Sequence, residues 1–568
     1  MDKLWKIPNV NDEQALDKLS GELNINKDLA ALLLQRGVRD FDEARLFFRP
    51  TLDHLHDPFL MKDMDKAVNR LSDAVGKQEK ILIYGDYDVD GTTSVSLMYL
   101  FLSQFTEHIA YYIPDRYTEG YGLSDKGMRW AAEQKFDLVI SLDCGIKANK
   151  VAALVRDLQM DLIICDHHLP GAQLPDAFAV LDPKRQDCQY PYKELSGCGV
   201  GFKLLQGFCL QQSIPFEELH TLMDLVAVSI ASDIVPITGE NRVLAYLGLH
   251  QLNTKPLLGL KELIEISGRK PPLTISDVVF YIGPRINAAG RLTHASESVR
   301  LLVTKNEEEL KEFSVNLHER NAERRDFDKS ITAAALKMIE DDSDLVNAKS
   351  TVLFKADWHK GVIGIVASRC IETYYRPTII LTESGGKATG SARSVEGFDV
   401  HEAIAACGDL LEQYGGHMYA AGLTMPIDQV DAFRKKFEKE VSQRLLPDQL
   451  IPKLPIDRII DFDIITPKTY SIITQMAPFG PQNMQPIFVS EKVTLTDTAR
   501  ILKGQHLKLK VKQPQCSTVL DCIGFGMASF ADRLNTADPF RLAYHIEENE
   551  FRGNKSLQLM IKDIQFYD

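Results

Sequence analysis

No apolar run in the 568 residues comes near the ~18 needed to cross a bilayer. The richest stretch, Thr221 to Val235, is broken by Asp224 and Asp233. The start, Met1-Asp2-Lys3-Leu4-Trp5-Lys6, has no apolar core of a secretory signal. These two absences lead us to expect a cytoplasmic protein with no membrane partner. Cysteine is sparse, 9 residues with no CxxC pair, which excludes a disulfide framework and a zinc ribbon. Gly and Pro, 35 and 25, are too few for a collagen-like or low-complexity chain. There is no basic excess either, since the formal charge is −14. That argues against general polyanion binding, but the charge is unevenly spread. Residues 451–568 carry 14 basic and 13 acidic side chains, so the first 450 hold a net −15. Carboxylates concentrated in that part call for a cation.

What is present is an ordinary globular composition, 45% hydrophobic and 25% charged, long enough for several domains. Residues 1–75 read as a helical segment, with helices over Asp12–Leu19 and Phe41–Phe48 and no legible function. From residue 76 to 304 short β-branched runs alternate with amphipathic stretches. Ile81–Tyr84, Ala110–Ile113, Leu138–Ile140, Leu162–Ile164 and Ala177–Val180 predict strands, and Thr93–Gln104 and Ser124–Gln134 predict helices. Continuous apolar strands between helices indicate a doubly wound parallel sheet. Residues 305–345 predict a long charged connector helix, free of Gly and Pro. Residues 346–446 predict a smaller α/β domain with strands Thr351–Phe354 and Thr378–Leu381 around a helix from Gly361 to Tyr374. Residues 447–568 read as mostly β: Lys508–Lys512, Val519–Ile523, Leu542–Ile546 and Leu557–Ile561 suggest a small barrel or sandwich.

The strongest chemical signal is Asp86-Tyr87-Asp88-Val89-Asp90-Gly91 at the end of the first strand. Alternation puts three carboxylates on one side, where they repel unless a cation or proton intervenes. The local pattern also matches a calcium loop, but the position of its bidentate Glu is Leu97, and the flanks are strand and helix. Asp143 follows the strand Leu138–Ile140, and Asp166-His167-His168 follows Leu162–Cys165. Asp233 ends a further apolar run. In open α/β sheets the functional crevice lies beyond the carboxyl ends of the strands. Oxygen ligands with one or two imidazoles suit Mn²⁺ or Mg²⁺. More than four carboxylates suit two ions, the arrangement used for phosphoester cleavage.

These residues resemble the four motifs of the DHH phosphoesterase family, in order: Asp86-x-Asp88-x-Asp90-Gly91, Asp143-x-Gly145, Asp166-His167-His168 and Asp233. Gly283 to Arg291, GPRINAAGR, resembles a motif of the RecJ-type single-strand exonucleases within it. Trp358 to Arg369, Gly390 to Ser394 and Gly415-Gly416-His417 resemble the DHHA1 domain that accompanies such a catalytic domain. The last segment resembles an oligonucleotide-binding (OB) barrel. The resemblance implies two divalent cations, with Asp88, Asp90, Asp143, His167 and Asp233 as ligands and Asp143 and Asp233 as bridges. Asp86 and His168 are each either a ligand or a group that orients one, and Asp166 either touches metal or holds an imidazole. The proton-transferring base stays open, His168 among the candidates.

Candidate phosphate contacts are Arg116, Arg285 (with Arg291 and Arg300 close by), Ser391, Arg393 and His417. Each alone is more often a plain surface residue. The resemblance raises all three groups, Arg285 with its neighbours, Ser391 with Arg393, and Arg116, to holders of a DNA 5′ end. Lys508, Lys510 and Lys512 share a strand face that suits backbone tracking, or else guards an edge strand. The resemblance implies a 5′→3′ single-strand DNA exonuclease of repair and recombination, and we expect a monomer. By resemblance, a single-strand-binding protein and a helicase are its partners. The rivals are a phosphodiesterase of short oligonucleotides or cyclic dinucleotides, which usually lacks the C-terminal barrel, and a non-enzymatic scaffold, which would have lost acids.

Overall fold

A computed structural model describes residues 3–8, 12–536 and 539–567. The chain divides into two compact units, residues 7–318 with 455–568, and residues 1–6 with 319–454.

In the larger unit five parallel strands form one sheet: β1 (Ile81–Gly85), β2 (Ile109–Tyr112), β3 (Leu138–Leu142), β4 (Asp161–Cys165) and β5 (Ala179–Leu181), in the order β2-β1-β3-β4-β5. Ile81, Ile83, Ile140 and Leu142 pack on one face with the helices Met64–Gly76, Val89–Leu102 and Gly197–Gln212. Leu82, Tyr84 and Val139 pack on the other, with Asp125–Glu133 and Asn149–Asp157. Alternate residues of one strand thus feed two cores, which is why these strands read as unbroken apolar runs. The chain leaves β1 for β2 on one side and returns to β3 on the other. The strand order therefore reverses at β1, where a doubly wound sheet opens its crevice.

The predicted elements differ from the observed ones by a few residues at their ends. The helix expected over Asp12–Leu19 spans Glu13–Leu23, with the Asp12 carboxylate accepting from Ala15 N. The apolar run before Asp233 is a helix, Met223–Ser232, buried on all sides apart from its end. The connector is a single helix, Glu307–Glu340.

The smaller unit contains a mixed five-stranded sheet. Its strands are β6 (Thr351–Phe354), β7 (Thr378–Ser384), β8 (Lys387–Arg393), β9 (Gln413–His417) and β10 (Ala420–Met425), ordered β9-β10-β8-β7-β6. Only β6 and β7 run parallel.

The C-terminal part of the larger unit is a seven-stranded sheet: β11 (Arg458–Ile459), β12 (Phe488–Leu495), β13 (Arg500–Leu502), β14 (His506–Lys512), β15 (Val519–Gly524), β16 (Phe540–Phe551) and β17 (Asn554–Phe566). The order is β11-β12-β16-β17-β15-β14-β13, and a further pairing of β12 with β14 closes five strands into a ring. Its apolar core is shared. Leu16, Leu19, Leu29, Leu32 and Leu33 from the N-terminal helices bury in one cluster with Phe462, Phe488, Leu509 and Tyr544. Arg36 bonds Asp457 and Asn483, and Asp28 pairs with Arg458. The first helices, silent in the sequence, are thus part of the C-terminal domain's hydrophobic interior. Arg242 joins both to the parallel-sheet domain: its guanidinium donates to the carbonyls of Phe47, Met476 and Ala477.

Candidate metal centre and phosphate contacts

The β1 strand ends in a turn that becomes the helix Val89–Leu102. Asp88 caps that helix, its carboxylate accepting from Gly91 N at 3.0 Å. Gly91 is required here, because a Cβ on it would lie 2.3 Å from the carbonyl oxygen of Asp86. The turn therefore folds back tightly enough to gather three carboxylates. Asp90 is fixed from the opposite side: its oxygens accept from Gly197 N at 2.7 Å, Cys198 N at 2.8 Å and Ser229 Oγ at 2.7 Å. Two of those donors are free N–H groups at the start of the helix Gly197–Gln212, where the positive end of a helix favours an anion.

Asp143 follows β3 with φ +59°, a left-handed conformation that few residues other than Gly, Asn and Asp adopt. That turn brings its Oδ1 to 3.2 Å from His167 Nε2. Asp233 Oδ2 lies 3.6 Å and Asp90 Oδ2 3.8 Å from the same nitrogen. Neither ring nitrogen of His167 has a hydrogen-bond partner, although both are buried, and Asp86 Oδ2 is equally orphaned. Two groups of ligand atoms, Asp143 with His167 and His168, and Asp90 with His167 and Asp233, each lie within 4.8 Å.

Burial and mutual repulsion push Asp86 and Asp143 well above the usual carboxylate range. Asp88 is raised for the same reasons, and Asp233 reaches about 8. Burial lowers His167, keeping it neutral and able to ligate. Buried orphan nitrogens among repelling carboxylates fit a divalent cation, and oxygen with imidazole donors suits Mn²⁺ or Mg²⁺.

Asp166 turns away from this cluster. Its oxygens accept from Ile146 N, His167 N, His168 N and His168 Nδ1, the last at 2.7 Å. Those donors hold its pKa down to about 2, although burial opposes them. The ion pair raises His168 to about 9, against its burial. The other nitrogen of His168, Nε2, is 3.2 Å from the hydroxyl of Tyr121, which also donates to the Asp143 carbonyl at 3.3 Å. Sequence reasoning missed Tyr121. The signal available was Gly120-Tyr121-Gly122, where both glycines take positive φ.

Arg116 lies over the Tyr87 ring at 5.0 Å, and its charge offsets a small part of the rise that burial and Asp88 impose on the Asp86 carboxyl, so it borders this centre. Arg285 does not face an open surface. It is 4% exposed, donates to the Tyr281 carbonyl and meets His318 Nδ1 at 3.3 Å.

In the smaller unit, Ser391 and Arg393 stand on the same side of β8, with Arg393 Nη1 donating to Ser391 Oγ at 2.9 Å. A Cβ on Gly364 would lie 2.8 Å from Arg393 Nη2 and 2.9 Å from Ser391 Oγ. Gly364 is in the first turn of the helix Ile363–Thr373, so hydroxyl, guanidinium and helix N-terminus converge. The helix itself is legible in the sequence; its approach to Ser391 and Arg393 is not. His417 lies in register across the sheet, paired with Ala420, which pairs with Arg393.

Lys508, Lys510 and Lys512 are exposed on one face of β14, while Leu507, Leu509 and Val511 are buried on the other. This strand is flanked on both sides, by β15 and by β13 or β12, so its lysines do not guard a sheet edge.

Comparisons with known proteins bear on all three regions. Residues 80–230 match the profile described as the DHH family, N-terminal domain, residues 347–443 the DHHA1 domain, and residues 456–563 the RecJ OB domain. The chain is similar to the single-stranded-DNA-specific exonuclease RecJ of Bacillus subtilis (strain 168), 37% identical over 98% of this chain and 70% of that protein. It is 32% identical to the protein of that name in Escherichia coli (strain K12), over 94% of this chain and 95% of that one. Its fold is similar to the crystal structure of RecJ in complex with Mn²⁺ from Thermus thermophilus. There the TM-score is 0.86 at 25% identity, with 100% of this chain and 80% of that chain covered.

Proposed function

The chain belongs to the RecJ family of single-strand exonucleases, and from that premise we propose how its residues divide the work. It is a hydrolase of single-stranded DNA that depends on divalent cations, Mn²⁺ or Mg²⁺. The observation that carries the reading is the buried His167 imidazole, its Nε2 within 4 Å of Asp90, Asp143 and Asp233 with no hydrogen-bond partner.

Asp88, Asp90, Asp143, His167 and Asp233 hold two cations, and Asp86 completes the set. When bound, such cations activate a water and neutralise the charge that builds on the phosphate. Asp90 keeps its position through the helix N-terminus that binds it, so the site loses little by reorganisation. Asp166 fixes the ring of His168, and His168 with Tyr121 presents a proton-bearing pair at the rim of the cluster. Arg116 contacts phosphate beside Asp86. In the other unit Ser391, Arg393 and the helix start at Gly364 take the 5′-terminal phosphate, which sets 5′→3′ polarity; His417 borders that cradle. The strip Lys508, Lys510 and Lys512 tracks the strand farther along. Among the described residues no helix is long and apolar enough to cross a membrane. We read the protein as a cytoplasmic monomer of repair and recombination, working beside a single-strand-binding protein and a helicase.

The direct test digests single strands labelled at either end with Mn²⁺, Mg²⁺ or EDTA. The expected result is mononucleotide release from the 5′ end with metal only. Degradation from the 3′ end would overturn the polarity, and metal-independent hydrolysis would overturn the role of the cluster.

A further inference from the structure

Ser229 interrupts an otherwise apolar run, Leu225-Val226-Ala227-Val228-Ser229-Ile230-Ala231, on the helix Met223–Ser232, and it is fully buried. Burying a hydroxyl costs free energy unless it is hydrogen-bonded. A serine inside a helix commonly bonds back to a carbonyl of its own helix. Both side-chain hydrogen bonds of Ser229 instead leave the helix, one with Asp90 Oδ1 and one with Ser196 Oγ, each 2.7 Å long.

The direction of these bonds follows from the protons available. A metal-binding carboxylate only accepts, so the single hydroxyl proton of Ser229 goes to Asp90. Ser229 Oγ then accepts from Ser196 Oγ, which itself accepts from Gly199 N at 3.1 Å. Gly199 N, Ser196, Ser229 and Asp90 thus form a buried one-way chain in which each bond polarises the next.

The same inventory decides which oxygen of Asp90 is left over. Oδ1 accepts from Ser229 Oγ and from Cys198 N at 2.8 Å, which fills both of its acceptor positions. Ser94 Oγ is 3.4 Å from Oδ1, but it gives its proton to the Asp90 carbonyl at 2.6 Å. Oδ2 accepts from Gly197 N at 2.7 Å, and it is this oxygen that lies 3.8 Å from the orphaned Nε2 of His167. Asp90 therefore has one lone pair on one oxygen to offer a cation. Ser229 reaches the neighbouring carboxylate too, since its carbonyl accepts from Asp233 N at 2.9 Å. One residue thus sets Asp90 through its side chain and Asp233 through its backbone, and these two with His167 make one of the ligand groups.

We propose that Ser229 is a positioning residue that holds Asp90 as a one-oxygen ligand and thereby selects a small divalent cation such as Mn²⁺ over Ca²⁺. The proposal rests on the metal-dependent nuclease reading and deepens it. Ca²⁺ gathers about six to eight oxygens and often takes both from one carboxylate, whereas a small ion is content with fewer. Saturating Oδ1 withholds the oxygen that the larger ion would add.

The test titrates Mn²⁺ into the full-length, DNA-free protein, reads the free ion by its electron paramagnetic resonance signal, and then displaces it with Ca²⁺. Wild type should bind Mn²⁺ more tightly than Ca²⁺, and equal affinity for the two ions would overturn the proposal without any variant. Ser229→Ala removes the hydroxyl, and Ser229→Cys keeps the shape of the side chain with a far weaker donor. Melting in EDTA shows which of them are folded, and either one carries the comparison. Mn²⁺ affinity should fall about tenfold while Ca²⁺ affinity holds or rises, so that the ratio of the two falls by about the same factor. A merely structural serine would weaken both ions alike or neither, and an unchanged ratio in a folded variant would overturn the proposal. In that case wild type still binds Mn²⁺ and the nuclease reading stands. A wild type that binds no Mn²⁺ would overturn both.

Discussion

Asp143 carries two costs at once, a left-handed backbone and a carboxylate buried among other carboxylates. Asparagine tolerates the same backbone, keeps the shape and removes the charge. Asp143→Asn should therefore raise the melting temperature of the metal-free protein while lowering turnover at least several hundredfold, a loss of about 4 kcal/mol of transition-state stabilisation. Melting in EDTA and single-turnover hydrolysis check the two halves. Added Mn²⁺ should stabilise the wild type in proportion to the logarithm of its concentration, and the variant much less. Tyr121 makes a subtler case. Its hydroxyl touches His168 Nε2 and the Asp143 carbonyl, so Tyr121→Phe removes a tether without removing a charge. We expect kcat to fall about tenfold at unchanged KM, with a shifted acid limb in the pH–rate profile. Unaltered pH dependence would reduce Tyr121 to packing.

At the scale of the element, β8 and the helix Ile363–Thr373 make the cradle that neither makes alone. A planar guanidinium binds phosphate bidentately, and each charge-assisted bond is worth about 1.5–3 kcal/mol before water recovers its share. Wild type should prefer 5′-phosphorylated over 5′-hydroxyl strands, and Arg393→Ala should lose most of that preference while binding Mn²⁺ as before. A competition between the two ends, read as product lengths, decides it. The lysines of β14 predict a different signature. Reversing all three should reduce the slope of log affinity against log salt by about 2, at roughly 0.7 per phosphate on a single strand. Elements of this molecule were legible where one local pattern sufficed. β1, β3 and β4 are buried on both faces and wrote themselves as Ile, Leu and Val. β8 and β9, KATGSAR and QYGGH, carry almost no strand-forming residue and were missed; their pairing partners make them strands. Asp86, Asp88, Asp90 and Asp143 stand out in the sequence because they follow strands β1 and β3, and Asp233 because it closes an apolar run, which is a helix. Tyr121 and the meeting of Gly364 with Arg393 do not, because such contacts join residues distant in sequence and only folding shows which atoms meet. Arg285 read as a phosphate contact for the opposite reason: composition shows a cation, not its direction.

Across the whole molecule, the joint between the parallel-sheet domain and the ring should respond to acid. His545 in β16 is 9% exposed, bonds the Pro486 carbonyl at 2.7 Å, and burial lowers it to about 4. Its folded value lies below the unfolded one, so it contributes stability that is present above the ordinary 6.5 and is lost as pH falls toward 4. The contribution is at most about 3 kcal/mol. His545→Gln should flatten the dependence of the melting temperature on pH between about 4 and 6.5, and an unchanged slope would assign the acid response elsewhere. Such a joint also rules out careless truncation. Ending the chain near residue 450 would strip the ring from the N-terminal helices and expose Leu16, Leu29, Leu32 and Leu33. The same shared core has a consequence for synthesis. The helices that finish at Phe48 leave the ribosome long before Phe462 and Tyr544, the residues they bury against, have been translated. At roughly 5–20 residues per second that interval is some tens of seconds. The earliest part of this chain is therefore the last to find its place, and it waits with its leucines uncovered, a natural client for whatever shields nascent chains.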